Sequence, residues 1–432
     1  MTTRLPLEGI RIIDLTIVWA GPYASLLLGD MGAELIRVES LQHPDINTRG
    51  QVRVPPAALA TAGSQFPDRT PGPRPFERTA TFNYTGRHKL SVTMDITRPK
   101  GREMFLRLVR QSDALLENNA AGTLEKLGVT WEMMLEANPR FIIITMPGYG
   151  NSGPYTFYKG YGANVEAVVG HTWLRGYADM DPTTTTPVYH ADAAAGATAA
   201  FALLAALNYR TRTGKGQVVD ISQAENTINQ LPQPWMDYAM NRRVQGTLGN
   251  RHPGRAPQGV YPCAGEDSWV AISVGSDAEW AALCGAMGRP DLAGEARFAD
   301  VVGRIRHHDA IDPHIAAWTE EHTHYEVMHT LQAVGVPAGP VLQQPEVFQD
   351  PHLRARGFFE TVSVPHLGTH DYPGPSFKLS KTAAHIRRPA PRLGEHNAYV
   401  YREILGVTED EYAELVRERH IGDTYDVLLS PE

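Results

Sequence analysis

The sequence predicts an α/β protein: a Rossmann-like parallel sheet covered by helices in a large domain, joined to a smaller α+β domain. Two observations carry this. Short β-rich runs alternate with helix-like segments through the first half of the chain. Strands that alternate with helices in this way argue for a parallel sheet covered on both faces. Near residue 254 the composition shifts, and two strand-like runs meet across a Gly-Glu-Asp turn before another helix-like stretch.

Taken in order, GIRIIDLT (residues 9–16) opens the sheet. AGPYASLLLGDMG comes next, with a Gly-Pro opening and a closing glycine, the signature of one helix. AELIRVES (33–40), KLSVTMDI (89–96), ALLE (114–117) and FIIITMPGYG (141–150) are the next strands, with amphipathic helices in KGREMFLRLVRQ and WEMMLEANP between the last three. Residues 49–77 are rich in Pro, Arg, Ala and Gly and read as a long excursion or flap. An alanine-rich helix follows, then a glycine-capped end, a strand and a helix in RTRTGKGQVVDISQAENTINQL. The division expected is a large domain at 1–215, linker and helices at 216–253, the small domain at 254–336, a returning linker at 337–394, and C-terminal helices at 395–432.

Composition excludes several function classes. The 432 residues suffice for two or three domains, and 42% hydrophobic with 20% charged residues is an ordinary soluble balance. A net charge of −8 gives no reason to expect nucleic acid or an anionic membrane. No apolar run is read as approaching the roughly 18 residues of a membrane span, and the N-terminus has no signal-peptide pattern. Cys263 and Cys284 offer neither a disulfide framework nor metal spacing, so a reducing cytoplasm is expected. The 17 histidines form no metal motif. His307, His308, His322 and His324 are expected on solvated faces, and His171 and His190 as ordinary surface or structural residues. No G-x-G-x-x-G follows the first strand, where TIVWAGPYAS has one glycine, and there is no Walker loop or G-x-S-x-G, which disfavours dehydrogenase, ATPase and serine hydrolase.

A parallel sheet binds ligands at the carboxyl ends of its strands. Those ends carry residues 18–22, Glu39, 117–119 and 147–150. The other conspicuous position is Asp192 in VYHADAAAGATAAFALLAAL, one carboxylate at the mouth of an apolar helix. It can cap that helix, or it can be a nucleophile with room to react.

Four segments in order resemble the class III CoA-transferase family, which includes formyl-CoA transferases, carnitine CoA-transferase and 2-methylacyl-CoA racemases. They are PLEGIRIIDLTIVWAGPYASLLLGDMGAELIRVE, the stretch from HKLSVTMD to MPGYGNSGPY, RTRTGKGQVVDISQAE, and PAPRLGEHNAYVYREILGVTEDEYAEL. The resemblance implies that Asp192, ahead of R-T-G-K-G-Q, is the catalytic aspartate, with acyl-CoA and a carboxylic acid as substrates and no tightly bound cofactor or metal. It implies that Val18, Trp19 and Ala20 line the thioester end, that Lys89 and Lys126 approach the phosphates, and that Asn118 and Asn119 border the adenosine and pantetheine. Arg37 and Arg87 are further cations near these segments, and Tyr149 and Tyr161 complete the candidate set. Family members form homodimers in which each chain is an open ring threaded through its partner; residues 208–216 and 343–356 are candidate linkers.

The chain departs from the family in four places, one being Asn119, where family members often have an aromatic residue that could stack on adenine. Racemases pair the aspartate with a histidine about 30 residues earlier; in KGYGANVEAVVG, Tyr161 stands there and Gly162 replaces the next Asp. A tyrosine is a poor base near pH 7, which favours transferase over racemase, with a silent partner subunit as a third reading. The glycine lid of formyl-CoA transferases corresponds to GNRHPGRAPQG (249–259), whose glycines are dispersed. Trp19 replaces a polar residue, which points away from formate and oxalate toward a bulkier, more apolar acyl group.

Overall fold

The structure, a computed structural model, describes residues 4–181, 184, 186 and 188–429. Its contacts divide the chain into two compact units, one of residues 1–171, 187–241 and 357–432, the other of 172–186 and 242–356.

The first unit is built on six parallel strands: β1 (Arg11–Asp14), β2 (Glu34–Glu39), β3 (Lys89–Thr93), β4 (Ala114–Glu117), β5 (Ile142–Thr145) and β6 (Gln217–Asp220). Their order is β3-β2-β1-β4-β5-β6, so the winding reverses between β1 and β4. Successive side chains of a strand point to opposite faces, and here both faces are covered. Ile12, Leu35, Leu116 and Ile144 pack on α1 (Ala20–Asp30) and its neighbour. Ile13, Ile36, Leu115 and Ile143 pack on α2 (Pro99–Arg110) and C-terminal residues such as Tyr401 and Leu415. This double burial is why the strands lack alternation.

Downstream come α3 (Gly162–Val168), the long α4 (His190–Thr213) and α5 (Gln223–Ile228). Alanine is the strongest helix former, and it leaves α4 a narrow side. A Cβ at Gly196 would stand 2.6 Å from the Ala20 carbonyl oxygen, so glycine lets α1 and α4 approach. Gly214, at φ 76°, ends α4 by donating to the Arg210 carbonyl at 2.8 Å. By length and composition α4 could cross a membrane, which corrects the expectation that no run approaches a span. More than half of its apolar window is buried within the protein instead. Residues 49–77 are not one open excursion but a series of short turns, Pro56–Ala58, Leu59–Ala62, Gly63–Gln65, Pro67–Arg69 and Pro75–Glu77.

The second unit has a three-stranded antiparallel sheet of β7 (Gln258–Pro262), β8 (Trp269–Ser273) and β9 (Ala338–Val341). Its core joins Val270 and Ile272 to Trp280, Leu283, Ile311 and Leu331 from the helices. Cys263 and Cys284 are buried there, and burial pushes their thiols up to about 11 and 12. Two of the histidines expected in solvent belong to this packing. His308 accepts from the Gln258 N–H at 3.0 Å, and His324 lies 2.7 Å from Ser268 Oγ and 3.1 Å from Glu346; both are buried. Each ring bridges two elements, which a surface pattern in the sequence cannot reveal.

Candidate active site

The loop after β1 is fixed by groups from three other segments. Asp14 accepts from the Thr16 N–H at 2.9 Å and its hydroxyl at 2.5 Å. Asn118, just beyond β4, accepts from the Ile17 N–H at 2.8 Å and donates to the Ile17 carbonyl at 2.9 Å. One side chain thus satisfies both polar groups of that residue. Thr48 Oγ1 accepts from Val18 N–H at 2.8 Å. Val18 sits at φ 62°, a left-handed conformation that β-branched residues rarely adopt. At Gly21 a Cβ would overlap the Thr16 side chain and crowd Asn118 Oδ1. The loop is therefore held at the point where the winding reverses, the usual ligand position of such sheets.

Asp192 is the third residue of α4 and is 6% exposed. It does not cap the helix. Tyr189 occupies the N-cap with φ 52° and makes no capping hydrogen bond with its side chain. The first two helical N–H groups, of His190 and Ala191, donate instead to Glu166 Oε1 at 2.5 and 3.3 Å. Asp192 lies near enough to the Ala20 main-chain N–H for that group to lower its carboxyl. Burial raises its carboxyl, the nearby Glu166 charge raises it further, and the Ala20 hydrogen bond offsets part, leaving it at about 6. Among the described residues no lysine or arginine pairs with Asp192. A Cβ on Gly162, the first residue of α3, would overlap Asp192 Oδ2. Trp19 meets Tyr189 edge-on with ring centroids 6.0 Å apart. Val18, Trp19, Ala20 and Asp192 are thereby brought together.

The remaining candidates divide. Arg37 and Asn119 line a cavity of about 270 Å³ at the carboxyl ends of β1 and β2, with Ile17, Leu124, Leu127 and Tyr425. Arg37 is buried, donates to the Thr16 carbonyl at 2.9 Å, and pairs with Asp45 at 2.6 Å and Glu39 at 3.2 Å. Asn119 donates to the Leu15 carbonyl at 3.2 Å. Lys126 is exposed on the short helix Thr123–Lys126, beside the cavity rather than in its wall. Lys89 is not available to a phosphate: it is 1% exposed and its ammonium is 2.8 Å from Asp14. Arg87 is likewise committed, to Asp30 at 2.7 Å. Both cations anchor the sheet and α1 through partners that lie far away in sequence. Tyr149 packs with Val165, Val169, Ala191 and Ala224 under the start of α4, and Tyr161 is exposed at the N-cap of α3.

The sequence reading missed Glu166 and Thr48. Glu166 carried one signal, a lone carboxylate among Val165, Ala167 and Val168 on an otherwise apolar turn. His171, expected to be ordinary, has its Nδ1 3.8 Å from Glu166 Oε1, and its ring centroid is 5.8 Å from that of His190. Residues 249–259 lie in the second unit, where Asn250 donates to the Tyr177 hydroxyl at 2.8 Å. Among the described residues no group of three or more His, Cys, Asp or Glu is arranged to hold a metal ion.

A wound sheet with a buried, cation-free aspartate at a helix start does not by itself name a reaction, and the whole-chain pattern supplies the family. The model of CoA-transferase family III matches residues 7–397. The chain belongs to this family. A succinyl-CoA–D-citramalate CoA-transferase of Chloroflexus aurantiacus is 34% identical over 417 residues, 96% of this chain and 98% of its own length. A probable CoA-transferase of Mycobacterium tuberculosis is 35% identical over 96% of this chain, which spans 50% of that longer protein. Among solved structures, a CaiB/BaiF family protein from Brucella suis superposes with a TM-score of 0.79 at 30% identity, covering 93% of this chain and all of the other. This family III chain is an enzyme of the CoA-transferase type, acting on CoA thioesters.

Proposed function

We propose that the protein moves CoA from an acyl-CoA donor to a carboxylic acid, with Asp192 as the covalent nucleophile. The observation that carries this is the state of Asp192: buried and unpaired with any cation among the described residues, with the Ala20 N–H as its nearby donor. An ionised Asp192 oxygen attacks the thioester carbon, the C–S bond breaks, and a mixed anhydride and CoA thiolate form. The thiolate attacks the aspartyl carbonyl and releases the donor acid, leaving an aspartyl-CoA thioester. The acceptor carboxylate attacks that thioester, giving a second anhydride and thiolate. Attack of the thiolate on the acceptor acyl carbon forms the product thioester and frees Asp192. The Ala20 N–H supports this as a fixed donor for oxyanions that develop on these carbonyls.

The CoA chain would run along residues 15–20, with its nucleotide in the cavity beside Arg37 and Asn119 and its thioester at Ala20. The name of the Chloroflexus relative supports a succinyl-CoA donor as the first to try, and the Trp19–Tyr189 pair supports acyl groups with apolar bulk. By resemblance we also propose a homodimer of interlocked rings, for which sedimentation should give about twice 47.6 kDa. The deciding experiment incubates the protein with succinyl-CoA and no acceptor, then adds hydroxylamine. A hydroxamate on the peptide containing Asp192, with no deuterium incorporated at the substrate α-carbon in heavy water, is expected. Deuterium exchange with an unmodified Asp192 would instead establish a racemase, and neither change a silent subunit.

A further inference from the structure

An acidic residue in the third position of a helix ordinarily folds back on the N-terminal amides, as in a capping box. Such a carboxylate is stabilised by the free N–H groups and the helix dipole, and is thereby drawn away from anything else. At the start of α4 the first two helical amides are already taken. Glu166, fully buried on α3, receives the N–H of His190 at 2.5 Å and of Ala191 at 3.3 Å. The same helix makes room for the Asp192 carboxylate, because Gly162 has no Cβ to meet its Oδ2. Val165 and Val169 pack against Ala191 and fix α3 to the first turn of α4.

Resting on the reading of Asp192 as nucleophile, we propose that Glu166 is its positioning residue. It occupies the first donors of α4 so that Asp192 is left for the substrate rather than held by its own helix. Glu166 touches no reacting atom and acts through Asp192 alone. Its negative charge is a second lever, because it opposes ionisation of the neighbouring carboxylate. The elements packed on α4 bring Tyr23 and Asp30 from α1, Glu166 from α3 and Glu225 from α5, while β5 brings no charge. Burial aside, Glu166 is the charge that moves Asp192, with His171 behind it and His190 held 2.8 Å from Gln230.

The test compares Glu166→Gln, Glu166→Ala and Asp192→Asn, with kcat, KM, pH profiles and amide exchange over residues 188–195. Glu166→Gln keeps an acceptor but removes the charge, so the acid limb of kcat/KM should move to lower pH while exchange stays slow. Glu166→Ala should speed exchange at His190 and Ala191 and lower kcat ~100-fold, the cost of a misplaced reacting group, with KM for acyl-CoA within about twofold. Faster exchange with kcat and the acid limb unchanged would overturn the positioning role. Unchanged exchange in Glu166→Ala would overturn the clamp itself, whatever the nucleophile. Activity retained by Asp192→Asn would sink the reading beneath the proposal, and amide exchange would still judge the clamp separately.

Discussion

Asp14 and Asp192 are both buried aspartates of the same unit, and their carboxyls are displaced in opposite directions. At Asp14 burial pushes upward, but Lys89 at 2.8 Å and the Arg37 charge win and hold it below the usual carboxylate range. At Asp192 burial also pushes upward, no cation answers, and Glu166 adds to the effect, leaving it at about 6. Burial alone therefore does not distinguish a carboxylate locked in an ion pair from one left without a cation. The sign of the nearest charge does. Asp14 completes an ion-pair network that holds the β1–α1 loop; Asp192 is kept in an unfavourable state that suits a nucleophile.

The largest effects should separate the two residues cleanly. Asp192→Asn should lower CoA transfer by ~10³-fold or more, because an amide cannot form the anhydride. Steady-state kinetics check this, and more than a few per cent of the original rate would remove Asp192 from the chemistry. Asp14→Asn should leave Lys89 buried without its partner and destabilise the fold by about 3–5 kcal/mol. Denaturant unfolding measures that loss. A folded, fully stable Asp14→Asn protein would mean that the network contributes nothing, and the contrast would collapse.

Part of this contrast was readable in the sequence. The wound sheet followed from the alternation of strand-like and helix-like runs, and the place of Asp192 from the family resemblance of the segment that precedes R-T-G-K-G-Q. The roles of the cations were not readable. Arg87 and Lys89 look like solvent-facing charges beside a ligand loop, yet each is buried against a carboxylate distant in sequence, Asp30 and Asp14 respectively. Pairing at that separation is decided by strand order, which puts β3 and β1 on either side of β2. The capping of α4 was missed for the same reason. Local pattern makes Asp192 the obvious cap, and only the tertiary fold brings Glu166 to those amides.

A smaller effect has the opposite sign from the Asp14 loss. Raising a carboxyl from 3.8 to about 6 stores roughly 3 kcal/mol against folding, at about 1.36 kcal/mol per pH unit. The folded state holds the proton more tightly than the unfolded one, so stability falls as pH rises from about 4 to 6. Above that range the full cost is present. Asp192→Asn should therefore be more stable than the native protein at pH 7 by up to ~3 kcal/mol, and no more stable near pH 4. Activity should follow the same group, with kcat/KM falling as pH drops below about 6. A stability difference that ignores pH would show that Asp192 ionises as freely as a surface residue.

The smallest expected effect concerns the loop both aspartates serve. Val18 is held at φ 62°, which costs a β-branched residue about 1–3 kcal/mol. Glycine adopts that conformation freely, but its unfolded chain gains entropy worth about 0.5–1 kcal/mol. The hydrogen bond from Val18 N–H to Thr48 uses the main chain and survives the substitution. Val18→Gly should then raise stability by about 0–2.5 kcal/mol, read from the denaturant midpoint. The same substitution loosens the segment that carries the Ala20 N–H, so kcat should fall ~2–5-fold through poorer alignment. A clear loss of stability would show that the left-handed turn is not strained. Unchanged kcat would show that Asn118 and Thr48 hold Ala20 in place without any help from the stiffness of Val18.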